Sequence, residues 1–274
     1  MTPTHHPTVR QGTPNSLAQM PPAQLLDMDA TPDSRPDWVP ESAFGRWFLG
    51  TTIWRDYVLE PAVQQLAKLA GSHFPHQGHL VDLGCGEALS LPLVASAFQP
   101  GRITALDIDP EALDSARSKY SNRREAPSLS TTFIRASATR LPLADRSVDA
   151  VFCHQLLHHL YRQSTALQEI RRVLRPGGLL MLSESCRSFI ESWPVRLLFR
   201  HPKGIQRDAT DYVRAVQKAG FTVDDGDVIT SRPWWSTSDL RVLERLLPPR
   251  TVRPVKWPPT EVLLVGQRPI KHTR

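Results

Sequence analysis

The chain has 274 residues, a formal net charge of +6 at pH 7 and three cysteines. Its length suits one sizeable domain with appendages, the cysteines are too few and too scattered for a disulfide framework or a Cys-x-x-Cys metal site, and no apolar run approaches the roughly 20 residues of a membrane span. Because the amino terminus also lacks a basic region followed by an apolar core, we expect a cytoplasmic protein without a metal ion or a membrane-spanning helix.

The first 37 residues contain seven prolines and few large apolar side chains. Such a segment buries too little apolar surface to offset the entropy lost on ordering it, so residues 1–37 are predicted to be a disordered tail. Residues 38–274 are predicted to form a single domain. Its first segment is rich in aromatic side chains, namely Phe44, Trp47, Phe48, Trp54 and Tyr57. A helix is predicted after this segment, from Pro61 to about Ala70.

A strand is predicted at 79–84 and a helix at 88–98, with a tight turn between them. Gly84 and Gly86 lack the Cβ atoms that would keep a ligand away from the backbone, and Asp82 directs a carboxylate into the crevice at the strand end. A dinucleotide site would place a third small residue where this chain has Leu89. The turn therefore favours a nucleotide-type ligand without a pyrophosphate.

The second predicted strand, 102–107, ends in another acid. Asp107 lies about 20 residues beyond the glycine turn, which is the usual distance to a carboxylate that holds ribose hydroxyls. An adenosine with two free ribose hydroxyls is therefore expected. Asp109 and Pro110 then begin a helix with an N-cap acid and a proline in its first turn.

Strands and helices continue to alternate through the rest of the chain. Further strands are predicted at 131–136, 147–153, 179–184, directly after Phe221 and at 260–266, and further helices at 164–174 and 208–220. Two inserts interrupt this order, 185–207 and 231–259, and the second contains Trp234, Trp235 and a predicted helix at 238–247. This alternation predicts an α/β fold with a parallel sheet covered by helices on both faces.

The run Asp82-Leu83-Gly84-Cys85-Gly86, with Asp107 closing the next strand, resembles the first two motifs of the class I S-adenosylmethionine-dependent methyltransferases. The resemblance covers residues 79–184 well and is to domains of the ubiquinone- and menaquinone-biosynthesis type, which act on small molecules. It implies a Rossmann-like sheet of seven mostly parallel strands with the last one antiparallel, and S-adenosyl-L-methionine as the cofactor. It also implies an amino-terminal helical lid, for which the aromatic residues between 38 and 57 are candidates; ordinary core contacts are the alternative.

The resemblance further implies a set of cofactor contacts. Asp107 would hold the ribose hydroxyls, Ile108 would pack on the adenine, and Asp82 would orient the amino-acid moiety directly or through water. Ser137 stands where the family commonly has aspartate, and because a hydroxyl bonds more weakly than a carboxylate, adenine recognition would also use backbone groups around Ala138. The predicted cofactor-binding residues are Asp82, Gly84, Cys85, Gly86, Asp107, Ile108, Ser137, Ala138 and His154.

Three histidines follow the fourth predicted strand, where the family positions groups that face the departing methyl. His154 would line the methionine end of the cofactor, and His158 or His159 would take a proton from the acceptor, since imidazole titrates near neutral pH. For His159 a purely structural role is the alternative. The chain lacks the Asn/Asp-Pro-Pro-Tyr/Phe motif of enzymes that methylate exocyclic amines, and Cys153 lacks the preceding proline of RNA cytosine enzymes. Both absences favour a small-molecule acceptor.

We therefore predict in-line methyl transfer to an oxygen or carbon atom of a small apolar or aromatic metabolite. The apolar run 189–199, with the tryptophan pair at 234–235, would form an apolar acceptor site, close the core or make a homodimer contact. An RNA methyltransferase or RNA-binding protein would explain the basic carboxyl half, although such charges usually form a solvated face and nucleic acid is the less favoured partner. A scaffold that binds the cofactor without catalysis is the third possibility.

Overall fold

Seven strands form one sheet in the computed structural model, which describes residues 37–121, 129–233, 236 and 258–270. In chain order they are β1 (His79–Leu83), β2 (Arg102–Asp107), β3 (Ser130–Arg135), β4 (Val148–His154), β5 (Leu174–Ser185), β6 (Val228–Ser231) and β7 (Glu261–Gln267). Their order across the sheet is β3-β2-β1-β4-β5-β7-β6. The first five strands in this order, β3, β2, β1, β4 and β5, pair in parallel, whereas β7 runs antiparallel to both β5 and β6. The predicted Rossmann-like fold with an antiparallel last strand is confirmed.

The helices of the described ranges connect or precede these strands. They are α1 (Ala43–Leu49), α2 (Thr52–Trp54), α3 (Glu60–Ala70), α4 (Leu91–Phe98), α5 (Pro110–Ser121), α6 (Gln163–Val173), α7 (Arg187–Ile190), α8 (Trp193–Leu198) and α9 (Ala209–Lys218). One π-helical turn, Arg55–Leu59, joins α2 to α3. No helix among the described residues has the length and apolar character needed to cross a bilayer.

Three elements begin three or more residues away from their predicted starts. Helix α4 begins at Leu91 and not at 88, because Ala88 adopts a left-handed backbone conformation with φ 60°, which a right-handed helix does not allow. Strand β5 begins at Leu174, since a register shift between Val148 and Ala150 lets its first residues pair with β4. Strand β6 begins at Val228, because a 3-10 turn at Asp225–Asp227 intervenes after Phe221.

Side chains of successive strand residues enter two different hydrophobic cores. Val151 and Leu180 belong to the core that also contains residues of α6 and α9, whereas their neighbours Phe152 and Met181 belong to the core shared with α3, α4 and α5. Because side chains alternate between the faces of a strand, a sheet buried on both faces must be apolar at consecutive positions. This burial explains the continuous apolar runs of β4 and β5.

Some sequence predictions concern residues outside the described ranges. They are the tail at 1–36, the pair Trp234 and Trp235, and the helix at 238–247. Asp37, the last residue of the predicted tail, is tied into the domain, since its carbonyl oxygen accepts a hydrogen bond from the backbone N–H of Tyr161 at 3.0 Å.

Candidate active site

A cavity of about 480 Å³ lies at the carboxyl ends of β1, β2 and β4. Strand β1 pairs with β2 on one side and with β4 on the other. Successive strands are therefore added to one side of β1 up to β3 and to its other side from β4 onward, and ligands of open α/β sheets bind in the crevice at such a switch point. The volume falls within the range of about 300–1,000 Å³ that is usual for small-molecule pockets. The cavity is lined by the predicted cofactor residues Asp82, Gly84, Cys85, Gly86, Asp107, Ile108, Ser137, Ala138 and His154.

The glycine turn after β1 forms one wall of this cavity. Gly84 and Gly86 both have positive φ, 78° and 50°, a backbone conformation that costs other residues about 1–2 kcal/mol. A Cβ on Gly84 would lie 3.0 Å from the side chain of Leu156. A Cβ on Gly86 would meet no atom within 4 Å, so it would project into open space. Gly84 is therefore required by packing, and Gly86 leaves room for a ligand.

Asp107 joins the end of β2 to this turn. Its Oδ2 atom accepts a hydrogen bond from the backbone N–H of Gly86 at 2.7 Å, and its Oδ1 atom accepts one from the N–H of Asp109 at 2.9 Å. Burial raises the pKa of this carboxyl, whereas the two backbone hydrogen bonds act in the opposite direction. Each carboxylate oxygen has further acceptor capacity, so Asp107 can accept hydrogen bonds from two hydroxyls of a ligand.

Asp82 is the more deeply buried of the two acids. Ser90 donates a hydrogen bond from its hydroxyl to Oδ2 of Asp82. Burial raises the pKa of Asp82 to about 7, the nearby charge of Asp107 acts in the same direction, and the Ser90 hydrogen bond opposes both. A carboxyl with this pKa is poised to ionise when a positively charged ligand approaches it.

Ser137 is linked to the amino-terminal segment through Thr139. The two hydroxyls are 2.8 Å apart, and Thr139 donates to the carboxylate of Asp37 at 2.9 Å. Asp37 also forms an ion pair with Arg162. The Ser137 hydroxyl is therefore engaged within the protein, a contact that sequence reasoning missed because more than 100 positions separate Asp37 from Thr139.

His154, at the end of β4, has both ring nitrogens buried, and neither has a hydrogen-bond partner among the residues that the structure describes. Its ring lies 5.7 Å from that of Trp54 and is stacked on Phe152. Burial lowers the pKa of His154 to about 3, with a smaller contribution from His158. The imidazole is therefore neutral at neutral pH, and since buried polar atoms are normally satisfied, its nitrogens are suited to a polar ligand in the cavity.

His158 and His159 have different surroundings. Nδ1 of His158 lies 2.6 Å from Oε2 of Glu184, and the other Glu184 oxygen accepts from the backbone N–H groups of Leu156 and Leu157. His158 is buried and does not line the cavity, whereas His159 does. The Nδ1 atom of His159 is buried and has no hydrogen-bond partner within the described ranges. Burial, followed by the charges of His158 and His201, lowers the pKa of His159 well below its usual value.

His201 completes this histidine cluster, and sequence reasoning missed it. Its ring centroid lies 5.1 Å from that of His158 and 5.0 Å from that of His159. One nitrogen of each ring lies within 4.8 Å of the others, so among the described residues these three form the group that could hold a metal ion. No sequence signal predicted His201, but Glu184 ends the predicted strand beside β4 and could have been anticipated.

The amino-terminal segment lines another part of the cavity. Trp38, Val39, Trp47 and Trp54 line the cavity together with Glu41 and Arg46. Glu41 accepts hydrogen bonds from the backbone N–H groups of Ser42 and Arg200, both at 2.9 Å. Burial raises the pKa of Glu41 despite these two hydrogen bonds. This part of the lining is mainly apolar and aromatic, with two acids, Asp37 and Glu41, and one base, Arg46.

Neither cysteine near the cavity is suited to act as a nucleophile. Burial raises the pKa of the Cys85 and Cys153 thiols, and nearby carboxylates act in the same direction. The thiolate is the reactive form, so both residues remain inert thiols.

These groups fit the cofactor that the sequence resemblance implies. The space in front of Gly86 is the one a side chain would otherwise fill, Asp107 retains acceptor capacity for the two ribose hydroxyls, and Asp82 offers a carboxyl that a positive charge would ionise. The unpartnered nitrogens of His154 lie in the same cavity.

Comparison with known proteins agrees with this assignment. Residues 81–182 match the family model of a methyltransferase domain. The chain is 32% identical over 146 residues to the O-methyltransferase cnsE of Penicillium expansum, an alignment that covers 50% of this chain and 52% of that protein. The chain spans about half the length of the curated relatives it matches.

Solved structures share the fold at low sequence identity. An S-adenosylmethionine-dependent methyltransferase from Mesorhizobium loti has a TM-score of 0.53 and 18% identity, covering 80% of this chain and 99% of that chain. The cyclase SpnF has a TM-score of 0.58 and 19% identity, covering 77% of this chain and 81% of that chain. The shared fold therefore does not by itself decide the reaction. The family match over residues 81–182, the motifs and the sheet order together support a class I S-adenosylmethionine-dependent methyltransferase domain in this chain, with S-adenosyl-L-methionine as the cofactor.

Proposed function

We propose that the protein transfers the methyl group of S-adenosyl-L-methionine to an oxygen or carbon atom of a small, apolar or aromatic acceptor. The observation that carries this proposal is that one cavity is lined both by the acids Asp82 and Asp107 and by aromatic residues of the amino-terminal segment. A relative named as an O-methyltransferase makes oxygen the first target to test.

Residues of the glycine-turn wall would hold the cofactor. Asp107 accepts hydrogen bonds from the ribose hydroxyls, Ile108 packs on the adenine, and the backbone at Gly84, Cys85 and Gly86 allows close approach. Ser137 and Ala138 border the adenine, and Asp82 and His154 contact the amino-acid end. When bound, the cofactor supplies an electrophilic methyl group on a positively charged sulfur.

The amino-terminal segment acts as a lid over the acceptor. Trp38, Trp47 and Trp54 provide apolar surface for an aromatic or aliphatic acceptor and exclude water from the cavity. The segment is anchored by Asp37, whose carboxylate binds Thr139 and Arg162. Alignment of two reacting groups can contribute roughly 7–11 kcal/mol to lowering a barrier, so positioning is the main task of these residues.

His159 is the proposed base. It lines the cavity, its Nδ1 atom has no hydrogen-bond partner among the described residues, and the lowered pKa leaves the imidazole unprotonated, with a lone pair directed to a proton of the acceptor. His158 lies beside it, with ring centroids 4.3 Å apart, and is oriented by Glu184. We therefore assign His158 and Glu184 as positioning residues and His159 as the group that removes the acceptor proton, an effect worth on the order of 10²–10⁴ in rate.

Two measurements test the proposal. Calorimetric titration with S-adenosyl-L-methionine tests the cofactor site, and incubation with the methyl-labelled cofactor and fractionated small-molecule extracts tests the transfer. Labelled product in the apolar fractions is the expected result. Cofactor binding without transfer to any acceptor would favour the scaffold, and salt-sensitive labelling of RNA would favour the nucleic-acid alternative.

A further inference from the structure

Helix α8 presents an apolar face to solvent. Trp193 and Leu197 are 66% and 74% exposed, whereas Val195, between them, is 5% exposed and packs inward. Residues four positions apart share a helix face, so the tryptophan and the leucine form one exposed apolar surface. Leu198, at the end of the helix, is also exposed.

This surface continues onto α1 at the cavity. Phe199, which follows α8, contacts Phe44 edge-on with ring centroids 5.6 Å apart, and Phe44 lies 5.6 Å from Trp47. Trp47 is 64% exposed and also lines the cavity. We call the five exposed apolar residues the mouth patch: Phe44, Trp47, Trp193, Leu197 and Leu198.

Positive charges accompany the mouth patch. Arg196 lies on α8 itself, Arg200 and Lys203 follow it, and all three are exposed. None of them forms an ion pair with a residue that the structure describes, in contrast to Arg187, which pairs with Asp208 and Asp211. The patch therefore combines large apolar side chains with cations that form no ion pair with the described part of the chain.

The combination of exposed apolar side chains and positive charges distinguishes between possible binding partners of the mouth patch. In a symmetric dimer the same patch would face itself, so Arg196 and Arg200 of one copy would approach those of the other, which is unfavourable. An anionic bilayer surface instead suits both features, because tryptophan and leucine insert at the headgroup boundary and each cation is attracted by acidic lipids. We propose that the mouth patch docks the protein on membranes that contain anionic lipids.

Docking would place the cavity mouth against the bilayer, from which an apolar acceptor enters past Trp47. This account of the acceptor rests on the proposed function, whereas docking itself requires no methyl transfer. Membrane docking and the proposed methyl transfer can therefore be disproved independently of each other.

Vesicle co-sedimentation of the full chain tests the proposal. Wild type is expected to bind phosphatidylcholine vesicles containing phosphatidylglycerol, to bind pure phosphatidylcholine weakly, and to be released by salt. Leu197→Glu should abolish binding, and Arg196→Ala or Arg200→Ala should each weaken it about fivefold. Ile270→Glu is the matched control, because Ile270 is 60% exposed but lies beside Gly177, at the opposite end of the sheet.

Several outcomes would overturn docking. They are failure of wild type to bind anionic vesicles, equal loss of binding in Leu197→Glu and Ile270→Glu, or a wild-type dimer that Leu197→Glu splits without any vesicle binding. Thermal unfolding serves as the folding control, since each variant should melt cooperatively near the wild-type temperature, and all of these variants should retain wild-type cofactor affinity in calorimetric titration. Vesicle binding by a protein that fails to bind the cofactor would support docking and contradict the proposed function.

Discussion

The Oδ2 atom of Asp107 accepts a hydrogen bond from the backbone N–H of Gly86 at 2.7 Å, which joins the end of β2 to the glycine turn after β1. The acid thus shapes the turn as well as facing the cavity. Because the proposed cofactor contact uses the carboxylate that also binds Gly86, removing the carboxylate should affect both the turn and cofactor binding, and a variant must separate the two effects.

Asp107→Asn is expected to weaken cofactor binding by about 10- to 100-fold, since a hydrogen bond to a charged group is worth about 1.5–3 kcal/mol. The amide retains one oxygen that can accept a backbone N–H, so the fold should persist. Isothermal titration calorimetry measures the affinity. Asp114→Asn, at an exposed acid on α5, is the control, and an unchanged affinity for Asp107→Asn would remove the ribose role.

Gly86→Ala tests the open space in front of the turn. The new methyl group should obstruct the cofactor, and the positive φ should destabilise the fold by about 1–2 kcal/mol. Gly204→Ala is the matched control, because Gly204 also has a positive φ, 78°, with no atom within 4 Å of a Cβ, but does not line the cavity. Both variants should lose similar stability in thermal melts, and only Gly86→Ala should lose cofactor affinity. Equal affinities would contradict the assignment.

Cofactor affinity should depend on pH through Asp82. A positively charged ligand favours the ionised carboxylate, so affinity should rise as the pH increases through about 7 and level off above it. Titrations at pH 7 in buffers of different ionisation enthalpy should reveal proton release. Asp82→Asn should flatten this dependence, whereas Ser90→Ala, which removes the hydrogen bond that favours ionisation, should move its midpoint to higher pH.

The same carboxyl should affect the stability of the cofactor-free protein. Because its folded pKa of about 7 lies above the ordinary value of 3.8, the folded state retains a proton that the unfolded state has lost. Wild-type stability relative to Asp82→Asn should therefore fall as pH rises from about 4 to about 7, and remain lower above that. Urea denaturation across this range measures the difference, and a constant difference would show that Asp82 ionises normally.

His159→Asn should lower kcat by about 10²–10⁴ with little change in cofactor affinity, since the amide can form hydrogen bonds near the Nδ1 position but cannot take the proton. The comparison requires an acceptor identified by the labelling experiment. His73→Asn is the control, because His73 is exposed and does not line the cavity. Near-normal turnover of His159→Asn would support the structural role for this histidine.

Asp37→Ala should loosen the amino-terminal segment, because it removes the hydrogen bond to Thr139 and the ion pair with Arg162. The expected result is a higher KM for the acceptor and faster proteolysis in the first helices. Asp56→Ala removes an exposed ion pair with Arg55 and should change neither measurement, since surface pairs contribute little. A rise in KM for both variants would argue against Asp37 as the specific anchor.

The amino-acid sequence by itself determined the mostly parallel sheet, the glycine turn after β1 and the acid at the end of β2. These features depend on local patterns, because apolar runs between helix signals specify buried parallel strands, and the carboxyl ends of neighbouring strands must meet at one edge. Asp82, Gly86 and Asp107 were therefore predictable as a set. The start of α4 was not predictable, because Ala88 adopts a left-handed backbone conformation. That conformation depends on how the glycine turn packs and not on the helix propensity of alanine.

Only the tertiary structure decided which histidine faces the cavity and what surrounds it. His158 and His159 are adjacent in sequence, but Glu184 on β5 holds the first and His201 from the α8–α9 connection packs against both. The sequence left the apolar run 189–199 as an acceptor site, part of the core or a dimer contact, and only the structure shows that Trp193 and Leu197 within it are exposed. Contacts between distant segments depend on how whole elements pack, and no local pattern in the chain encodes that packing.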